Sequence, residues 1–329
     1  MRVLILGGSG FLGSHAVDRF LEAGNEVTVY DLSSERYRRK PSRVKYYIGD
    51  LGNVGALEEV ISVGFDAVLH FVSTTTPKSS NTSPEFDIQS NVINTVHMLD
   101  LCVKHKVQKV VFLSSGGTIY GNIGDAPSVT EQHPVHPLCS YAVSKLSIEH
   151  YLHIYRQLHG LDFVSLRVSN PFGERQNPEA ALGAATVFLH RAINDQPIEV
   201  WGDGSVIRDF IYAGDVADAV YLATTKPISG IFNAGSGVGL SLRQLIDEIA
   251  TALNVTPRVQ WMPGRPFDVP RIVLDSTKLK TATGWVCARG FREGLVRTAG
   301  WLTTIRDAAA GDLESGVRRV SLFNQRRSR

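Results

Sequence analysis

The chain has 329 residues, a formal net charge of +2 and an apolar fraction of 43%, which indicate one large α/β unit or two interleaved domains. A charge so close to neutrality gives no support for binding to nucleic acid or to an anionic membrane. The three cysteines, Cys102, Cys139 and Cys287, are far apart and form no CxxC pair, which favours a reducing, cytoplasmic setting.

Membrane, secretory and metal-binding segments are not predicted. No apolar run reaches the roughly 18 residues of a membrane helix, and the N-terminus has the pattern of a strand rather than of a signal peptide. His133 with His136, and His150 with His153, have ligand-like spacing. No cysteine or glutamate cluster joins either pair, so no metal site is expected.

The first predicted element is a buried strand that breaks into a glycine turn. Residues 3–6 are branched and apolar, which is typical of a parallel strand. Apolar residues then recur at helical spacing, which predicts a helix over residues 11–23 that begins with Phe11 and Leu12. The turn between them has the spacing GxxGxxG, at Gly7, Gly10 and Gly13. Such a turn lets the backbone approach a pyrophosphate, which the N–H groups of the helix N-terminus bind.

A second strand, residues 26–30, ends on Asp31. A carboxylate at this position accepts hydrogen bonds from the adenosine ribose, so the order strand, glycine turn, helix, strand and acid predicts a dinucleotide site. The alternative is an ordinary βα turn without a ligand. Asp31 would repel a 2′-phosphate, which favours NAD over NADP. The nearby Arg36, Arg38 and Arg39 are interpreted as a solvated loop.

The alternation of strands and helices continues along the chain. Further strands are predicted over residues 44–48, 67–71, 109–113, 163–168 and 230–234, and helices over residues 57–61, 87–105, 139–159, 215–221 and 241–253. The pattern predicts an α/β fold: a Rossmann-type doubly wound parallel sheet with a smaller C-terminal substrate-binding domain. We assign residues 1–169 to the first domain, to which residues 206–235 return, and residues 170–305 mainly to the second. Residues 306–329 are polar and basic, and are interpreted as a short helix fraying into a mobile tail.

The helix over residues 139–159 carries Tyr141 and Lys145, whose spacing of four puts them on one face. They follow the hydroxyl-rich strand end at Ser114 and Ser115. A phenol has a pKa near 10, and a nearby ammonium together with a positive nicotinamide ring would lower that pKa, which would make Tyr141 a usable base. The alternative is a solvated tyrosine and lysine on a surface helix.

Together these motifs resemble the NAD-dependent nucleotide-sugar epimerase/dehydratase family, within the extended short-chain dehydrogenase/reductase superfamily. Three later segments strengthen the resemblance: RxxNxxG at residues 167–173, GDGxxxRDF at residues 202–210, and the RxxD pair Arg265 and Asp268. The likeness extends over residues 1–305.

The resemblance implies roles for individual residues. Tyr141 would be the base, Lys145 would also hold the nicotinamide ribose, and a Ser or Thr hydroxyl would complete the catalytic set. Asp50 and Leu51 would contact adenine, and the segment Phe71, Val72 and Ser73 would pack on the cofactor with Ser114. Asn91 would brace the central strands or contact the cofactor, or it is simply a packing amide. The substrate's nucleotide diphosphate would be held by Asn170, Arg208, Arg265 and Asp268.

The chain departs from the family pattern after the strand over residues 109–113. Gly116 stands where a serine is usual, so the catalytic hydroxyl must come from Ser115 or Thr118, or be absent; we favour Thr118. Dehydratases of the family carry an Asp-Glu pair where this chain has Gly117 and Thr118, which argues against dehydration.

The implied reaction is NAD-dependent epimerisation at C4 of a UDP-hexose through a 4-keto intermediate, in carbohydrate metabolism such as polysaccharide biosynthesis. The near alternatives are a reductase, decarboxylase or dehydratase of the same family, and a remote one is a non-catalytic dinucleotide-binding sensor. The helices over residues 87–105 and 139–159 imply, by analogy, a homodimer joined through four helices.

Overall fold

A computed structural model describes residues 1–124, 126–180, 182–264 and 269–314. The strands are β1 (Arg2–Leu6), β2 (Glu26–Asp31), β3 (Val44–Ile48), β4 (Ala67–His70), β5 (Lys109–Ser115), β6 (Asp162–Val168), β7 (Asn170–Phe172), β8 (Ile198–Trp201), β9 (Ile207–Tyr212), β10 (Gly230–Ala234), β11 (Gly239–Ser241), β12 (Val259–Met262) and β13 (Arg271–Ile272). The helices are α1 (Phe11–Glu22), α2 (Val54–Ile61), α3 (Pro77–Ser80), α4 (Pro84–Asp87), α5 (Asn94–Lys104), α6 (Gly116–Ile119), α7 (Ser140–His159), α8 (Ala184–Ile193), α9 (Ala213–Thr225), α10 (Leu242–Leu253), α11 (Thr277–Thr283) and α12 (Phe291–Glu314), with a π-helical turn at Ile88–Ile93.

Seven parallel strands form the central sheet, in the order β10, β6, β5, β4, β1, β2 and β3. The direction of winding reverses between β1 and β4. Sheets of this kind bind ligands at the carboxyl ends of the strands beside that reversal. The predicted Rossmann-type doubly wound sheet is therefore confirmed.

Both faces of this sheet are covered by helices. Alternate side chains of β1 pack into two different cores, one on each face of the sheet. Val3 and Ile5 pack in a cluster with α1 and α9, while Leu4 and Leu6 pack in a cluster with α2, α5 and α7. Strands buried on both faces need continuous apolar runs, which explains the lack of polar alternation in β1.

A second, smaller assembly follows the central sheet. Strand β9 pairs with β7, β11 and β13, and β8 pairs with β12. Its core contains Phe172, Phe188, Phe210 and Leu245. The chain then returns to the central sheet at α9 and β10. Within residues 206–235, which the sequence assigned to the first domain, β9 pairs in the second assembly and β10 in the central sheet.

The helix predicted over residues 87–105 is interrupted in the structure. Helix α4 ends at Asp87, the π-helical turn follows, and α5 begins only at Asn94. Side chains within the turn bond to the loop after β4: Ser90 Oγ lies 2.6 Å from Thr74 Oγ1, and Asn91 Oδ1 accepts from the Thr74 N–H at 3.0 Å. Turns of this type are frequent at functional sites.

The C-terminal helix is longer than the sequence suggested. Helix α12 begins at Phe291 and continues to Glu314, so residue 306 lies inside a helix already formed. The remainder of the predicted tail, residues 315–329, lies outside the described residues. Within the described part of the chain, every helix is too short or too polar to cross a lipid bilayer.

A buried ion pair joins α7 to the central sheet. Arg167 on β6 donates to Glu149 on α7 at 2.7 Å, and both side chains are at least 95% buried. Arg167 also donates to the Tyr120 hydroxyl at 3.1 Å, and Ser165 donates to Glu149. The pair fixes the helix that carries Tyr141 and Lys145 against the strand beside it.

Glu149→Gln is expected to lower the free energy of unfolding by about 3–5 kcal/mol, because it leaves the Arg167 charge buried without a counter-ion. The loss is measured by urea denaturation. Glu248→Gln is the control, since Glu248 pairs with the largely exposed Arg292 and such pairs contribute about 1 kcal/mol or less. Equal losses in the two variants would contradict this prediction.

Candidate active site

The glycine turn between β1 and α1 forms one wall of the site. Gly7 has a φ of +80°, a conformation that favours glycine. A Cβ on Gly13 would lie 2.1 Å from the Gly7 carbonyl oxygen, so the helix and the turn approach each other closely only because residue 13 is glycine. Phe11 and Leu12, at the start of α1, line the adjoining cavity with Gly10. The N–H groups of such a helix start favour a phosphate.

Asp31 lies at one end of this wall, in a cavity of about 230 Å³. One carboxylate oxygen accepts from the Ser9 N–H at 3.0 Å and the other from the Ser33 N–H at 3.1 Å. Burial raises the pKa of Asp31, and these donors oppose the rise. The cavity is also lined by the other residues expected near the adenosine, namely Asp50, Leu51, Phe71, Val72 and Ser73.

Asp31→Asn is expected to weaken NAD binding about tenfold or more, because a hydrogen bond to a charged group contributes about 1.5–3 kcal/mol. NADP binding should not fall, since the repulsion of a 2′-phosphate is relieved. Titration calorimetry with each dinucleotide measures both effects. Glu26→Gln, at the exposed start of the same strand, is the control. Unchanged NAD affinity in Asp31→Asn would contradict the prediction.

The arginines after Asp31 are only partly the solvated loop that the sequence suggested. Arg39 is exposed. Arg38 is mostly buried, with ion pairs to Glu35 and Asp18, because its guanidinium folds back onto α1 and donates to the Ser14 carbonyl. Arg36 lies over the Tyr37 ring. The charge of Arg38 is thus compensated within the protein.

A second cavity, of about 350 Å³, contains the predicted catalytic pair. It shares Gly7, Gly10, Phe71 and Ser73 with the Asp31 cavity, so the two adjoin. The lining also includes Ser114, Ser115, Tyr141 and Lys145. Residues separated by more than a hundred positions in sequence therefore meet at the carboxyl edge of the sheet.

Lys145 lies beneath Tyr141 in this cavity. Its Nζ is 5.6 Å from the centroid of the Tyr141 ring and donates to the Leu113 carbonyl at 2.9 Å. Burial lowers the pKa of Lys145 to about 8, and the negative charges of Asp87 and Glu149 oppose that change. The Lys145 ammonium thus donates a hydrogen bond to the end of β5 and lies near the Tyr141 ring.

The expected lowering of the Tyr141 pKa does not follow from the protein alone. Burial raises the pKa of Tyr141 to about 12, and hydrogen bonds with Ser115 and Ser73 oppose the rise only in part. Desolvation disfavours the phenolate more strongly than the neighbouring hydroxyls favour it. A further positive charge is needed before Tyr141 can act as a base near neutral pH.

Of the two hydroxyls that the sequence left open, Ser115 lines the cavity of Tyr141, and the preference for Thr118 stays a prediction. The nearby Ser115 hydroxyl favours the Tyr141 phenolate and so opposes the rise of the Tyr141 pKa, and Thr118 Oγ1 donates to Ser115 Oγ at 2.9 Å. The single turn of α6 separates residues 115 and 118. Thr118 is thus bonded to Ser115, which lines the cavity of Tyr141.

Gly116, which replaces the usual serine, is covered by a leucine from the second assembly. A Cβ at residue 116 would lie 2.5 Å from Leu274 Cδ1 and 3.0 Å from the Arg167 carbonyl oxygen. Leu274 is completely buried, so it has little room to move. The absence of a side chain at residue 116 is therefore matched by tight packing over it.

Asn91 lies behind the loop after β4, where protein contacts occupy its amide. Its Nδ2 donates to Thr74 Oγ1 at 2.9 Å and to Asp87 Oδ1 at 3.0 Å, and its Oδ1 accepts from the Thr74 N–H. The sequence left open whether Asn91 braces the structure, contacts the cofactor or only packs. Its bonds to Thr74 and Asp87 favour the bracing role.

Two of the four predicted substrate residues lie on neighbouring strands. Asn170 begins β7 and pairs in register with Phe210 of β9, two residues along from Arg208. The Asn170 Oδ1 is buried and has no partner among the described residues, so it can accept a bond from a ligand. Arg208 is partly buried and donates to the Ile207 carbonyl. Arg265 and Asp268 lie outside the described residues.

Several lining residues were not identified from the sequence. Ser90 lines the Asp31 cavity, and Val168, Ser169 and Pro171 line the cavity of Tyr141. Val168 ends β6 and Ser169 follows it directly, a position at which doubly wound sheets bind ligands. The same rule that identified Ser114 could have identified them.

A larger cavity, of about 450 Å³, lies on the far side of α1, between α9 and α12. Its walls contain arginines that are paired with carboxylates, among them Arg38 and Arg175 with Asp18, and Arg19 and Arg289 with Asp218. We do not assign it to catalysis, because its charges are compensated.

In the described part of the chain, no three His, Cys, Asp or Glu side chains are grouped to hold a metal ion.

The residues of the two adjoining cavities fit a dinucleotide. The hydroxyls of Ser9 and Ser114 are buried without a partner among the described residues, one in the glycine turn and the other beside Tyr141. Buried polar atoms are rarely unpaired, so such hydroxyls indicate a ligand that bonds to them. The acid, the close glycine turn and the lysine match a ribose, a pyrophosphate and a second ribose in that order.

Comparison with known proteins gives consistent results. The family model described as "NAD dependent epimerase/dehydratase family" matches residues 3–235. A UDP-glucose 4-epimerase of Mycolicibacterium smegmatis is 34% identical over 91% of this chain and 97% of its own length. A UDP-glucose 4-epimerase of Thermus thermophilus, solved with NAD, is 36% identical with a TM-score of 0.87, covering 92% of this chain and 99% of its own. One from Thermotoga maritima, solved with UDP-glucose, is 31% identical with a TM-score of 0.89, covering 93% and 100%.

Proposed function

Because the chain belongs to the NAD dependent epimerase/dehydratase family, we propose that it interconverts UDP-hexoses that differ in configuration at C4, with NAD as its cofactor. The observation that carries the proposal is the meeting of Ser115, Tyr141 and Lys145 in a cavity that adjoins the Asp31 cavity. The similar proteins solved with NAD and with UDP-glucose support the choice of both ligands.

Each residue has a part in this chemistry. When bound, NAD supplies a reversible hydride acceptor, and its positive ring adds the charge that favours ionised Tyr141. Tyr141 accepts the proton of the C4 hydroxyl and returns it after the sugar has turned in the site. Ser115 hydrogen-bonds with Tyr141 and with the same sugar oxygen, and Lys145 holds the nicotinamide ribose.

Binding energy far from C4 would leave the sugar free to turn. Asn170, Arg208, Arg265 and Asp268 would hold the nucleotide diphosphate, for which guanidinium groups are well suited. The unpartnered Oδ1 of Asn170 supports the placement of a ligand beside β7. Most of the affinity would then come from the nucleotide, and little from the sugar.

Dehydration is less well supported than epimerisation. The described residues that line the Tyr141 cavity contribute hydroxyls, a phenol and an ammonium, and none of them carries a carboxylate. Loss of water from the sugar needs a further acid and base next to C5 and C6. A reductase would need exchangeable NADPH, which the carboxylate of Asp31 disfavours.

The proposal is tested by incubating the purified protein with UDP-glucose, UDP-galactose and their N-acetyl forms, without added cofactor, and recording NMR spectra. We expect interconversion of at least one pair. No interconversion, together with NADPH-dependent turnover of a 4-keto-sugar, would establish the reductase instead. Release of a dehydrated 4-keto-sugar would establish the dehydratase.

We further propose that the protein is a cytoplasmic homodimer. The three cysteines are free thiols, in agreement with a reducing setting. Helix α7 exposes a stripe of apolar side chains at helical spacing, namely Val143, Tyr151, Ile154 and Leu158. Leu158 is the most exposed of the four side chains, at 71%, and a contiguous exposed apolar patch marks a surface that binds another protein. A second copy of α7 would cover this stripe.

Leu158→Asp is expected to convert the dimer into a monomer, since it puts a charge on the most exposed apolar side chain of the stripe. Analytical ultracentrifugation measures the mass. Val296→Asp on α12 is the control, because Val296 is a comparably exposed apolar residue outside the stripe. A monomeric wild-type protein, or an unchanged mass in Leu158→Asp, would contradict the dimer.

A further inference from the structure

Asp87, the last residue of α4, is a completely buried carboxylate that the proposed chemistry does not use. Its Oδ1 accepts hydrogen bonds from Thr75 Oγ1 and, at 3.0 Å, from Asn91 Nδ2. Its Oδ2 accepts from Ser140 Oγ at 2.9 Å and from Ser144 Oγ at 2.7 Å. Four donors from three segments of the chain therefore converge on one side chain.

Two of these donors flank the catalytic pair. Ser140 and Ser144 on α7 immediately precede Tyr141 and Lys145. On the other side, Thr75 directly follows the loop residues Ser73 and Thr74, which line the dinucleotide cavities. The carboxylate thus joins the catalytic helix to the loop that contacts the cofactor.

The same region caps the backbone of α7. The Tyr141 N–H donates to Ser80 Oγ at 3.0 Å, and the Ser140 N–H donates to Asn81 Oδ1 at 2.9 Å. These N–H groups at the helix N-terminus have no intrahelical partner, so they are satisfied by side chains distant in sequence. A negative charge near this end of α7 is also favoured by the helix dipole.

We propose that Asp87 is a positioning residue, which locks the first turn of α7, and with it Tyr141 and Lys145, to the loop that lines the dinucleotide site. Its test through turnover rests on the proposed function. Asp87 contacts neither the reacting atoms nor the cofactor cavities. It acts through Ser140, Ser144 and Thr75.

The charge of Asp87 also acts on both catalytic groups. It raises the pKa of Lys145, as does Glu149 from further along α7, and it raises the pKa of Tyr141, as does Cys139. The fully buried His70 on β4 also faces Lys145, but burial lowers the pKa of His70 to about 3, so it is neutral near pH 7. Removal of the Asp87 charge should therefore lower the pKa of Tyr141 and the pKa of Lys145 together.

Asp87→Asn is the test variant, because it removes the charge with little change of shape. We expect kcat to fall by up to roughly 100-fold, the effect of a misplacement of about 1 Å, with little change in KM. Both limbs of the profile of kcat against pH should move to lower pH. The acid limb moves because Tyr141, with a lower pKa, ionises at lower pH. The alkaline limb moves because Lys145, with a lower pKa, loses its positive charge at lower pH.

Asp215→Asn is the matched control. Asp215 is also a completely buried carboxylate in the first turn of a helix, but it pairs with Arg289 on the far side of the molecule. Its loss should lower the Tm and leave the pH profile unmoved. The proposal is overturned if Asp87→Asn keeps wild-type kcat, or if its kcat falls while its pH profile stays unmoved, as in the control.

Two further measurements keep the test decisive. If Asp87→Asn does not fold, the double variant Ser140→Ala and Ser144→Ala is used instead. It removes the two hydroxyls of α7 that donate to Asp87 and keeps the carboxylate itself. A reduced kcat at native Tm supports the proposal, and an unchanged kcat overturns it.

Absorbance titration of tyrosinate, taken as the difference from Tyr141→Phe, needs no substrate. A shift to lower pH on loss of Asp87 would support the inference even if no UDP-hexose were turned over, whereas an unshifted titration would overturn it.

Discussion

Tyr141→Phe should abolish turnover of the UDP-hexose and leave NAD binding intact. In the proposed chemistry the phenol accepts and returns the proton of the sugar hydroxyl, while Lys145 and the glycine turn would still hold the cofactor. General acid–base catalysis contributes roughly 100- to 10,000-fold to a rate, and a loss of that size in kcat is expected. NMR follows the epimerisation, and calorimetry measures the affinity for NAD.

Tyr155→Phe is the matched control for this variant. Tyr155 lies on the same helix, but its hydroxyl bonds to Asp100 on α5, away from the cavity. This variant should keep wild-type kcat. Turnover near the wild-type rate in Tyr141→Phe would show that another group is the base. Loss of NAD binding in Tyr141→Phe would instead show that the tyrosine holds the cofactor.

Gly13→Ala should remove NAD binding. The added Cβ would lie 2.1 Å from the Gly7 carbonyl oxygen and 2.8 Å from the Gly8 Cα, both backbone atoms that cannot move without opening the turn. We expect NAD affinity to fall below detection in calorimetry. Overpacking of this kind also costs about 1–3 kcal/mol in the free energy of unfolding, so the Tm should fall as well.

Gly300→Ala provides the control, because Gly300 also lies inside a helix, α12, and a Cβ there would meet open space. Alanine is favoured over glycine in a helix by about 0.5–1 kcal/mol, so this variant should be equally stable or slightly more stable. Both variants should have the same helix content by circular dichroism. Tight NAD binding in Gly13→Ala would mean that the turn does not hold the pyrophosphate.

The elements that the sequence predicted best are those whose signals are local. The strands Val44–Ile48 and Gly230–Ala234 agree with their predicted bounds, and α10 begins one residue after its predicted start and ends where predicted. The dinucleotide fingerprint was also recognisable because glycines, an apolar run and an acid lie within about thirty residues. Such patterns need no knowledge of distant contacts.

The errors concern residues whose conformation depends on distant partners. The helix predicted over residues 87–105 is interrupted where Ser90 and Asn91 bond to Thr74, a contact that helical periodicity does not reveal. The preference for Thr118 over Ser115 stays a prediction, but it was made without knowledge of the turn of α6, in which the Thr118 hydroxyl donates to Ser115. The contacts of Asp87 were missed for the same reason, since three of its four donors come from outside its own helix and the turn that follows it.

The packing of Leu274 against Gly116 has a consequence for how this site can evolve. A serine at residue 116 would collide with a side chain that comes from the other half of the molecule, so that single substitution is harmful by itself. A smaller residue at position 274 would relieve the contact with the leucine, but that change alone leaves a void. The two positions are thus epistatic, and among descendants of this chain they should change as a pair.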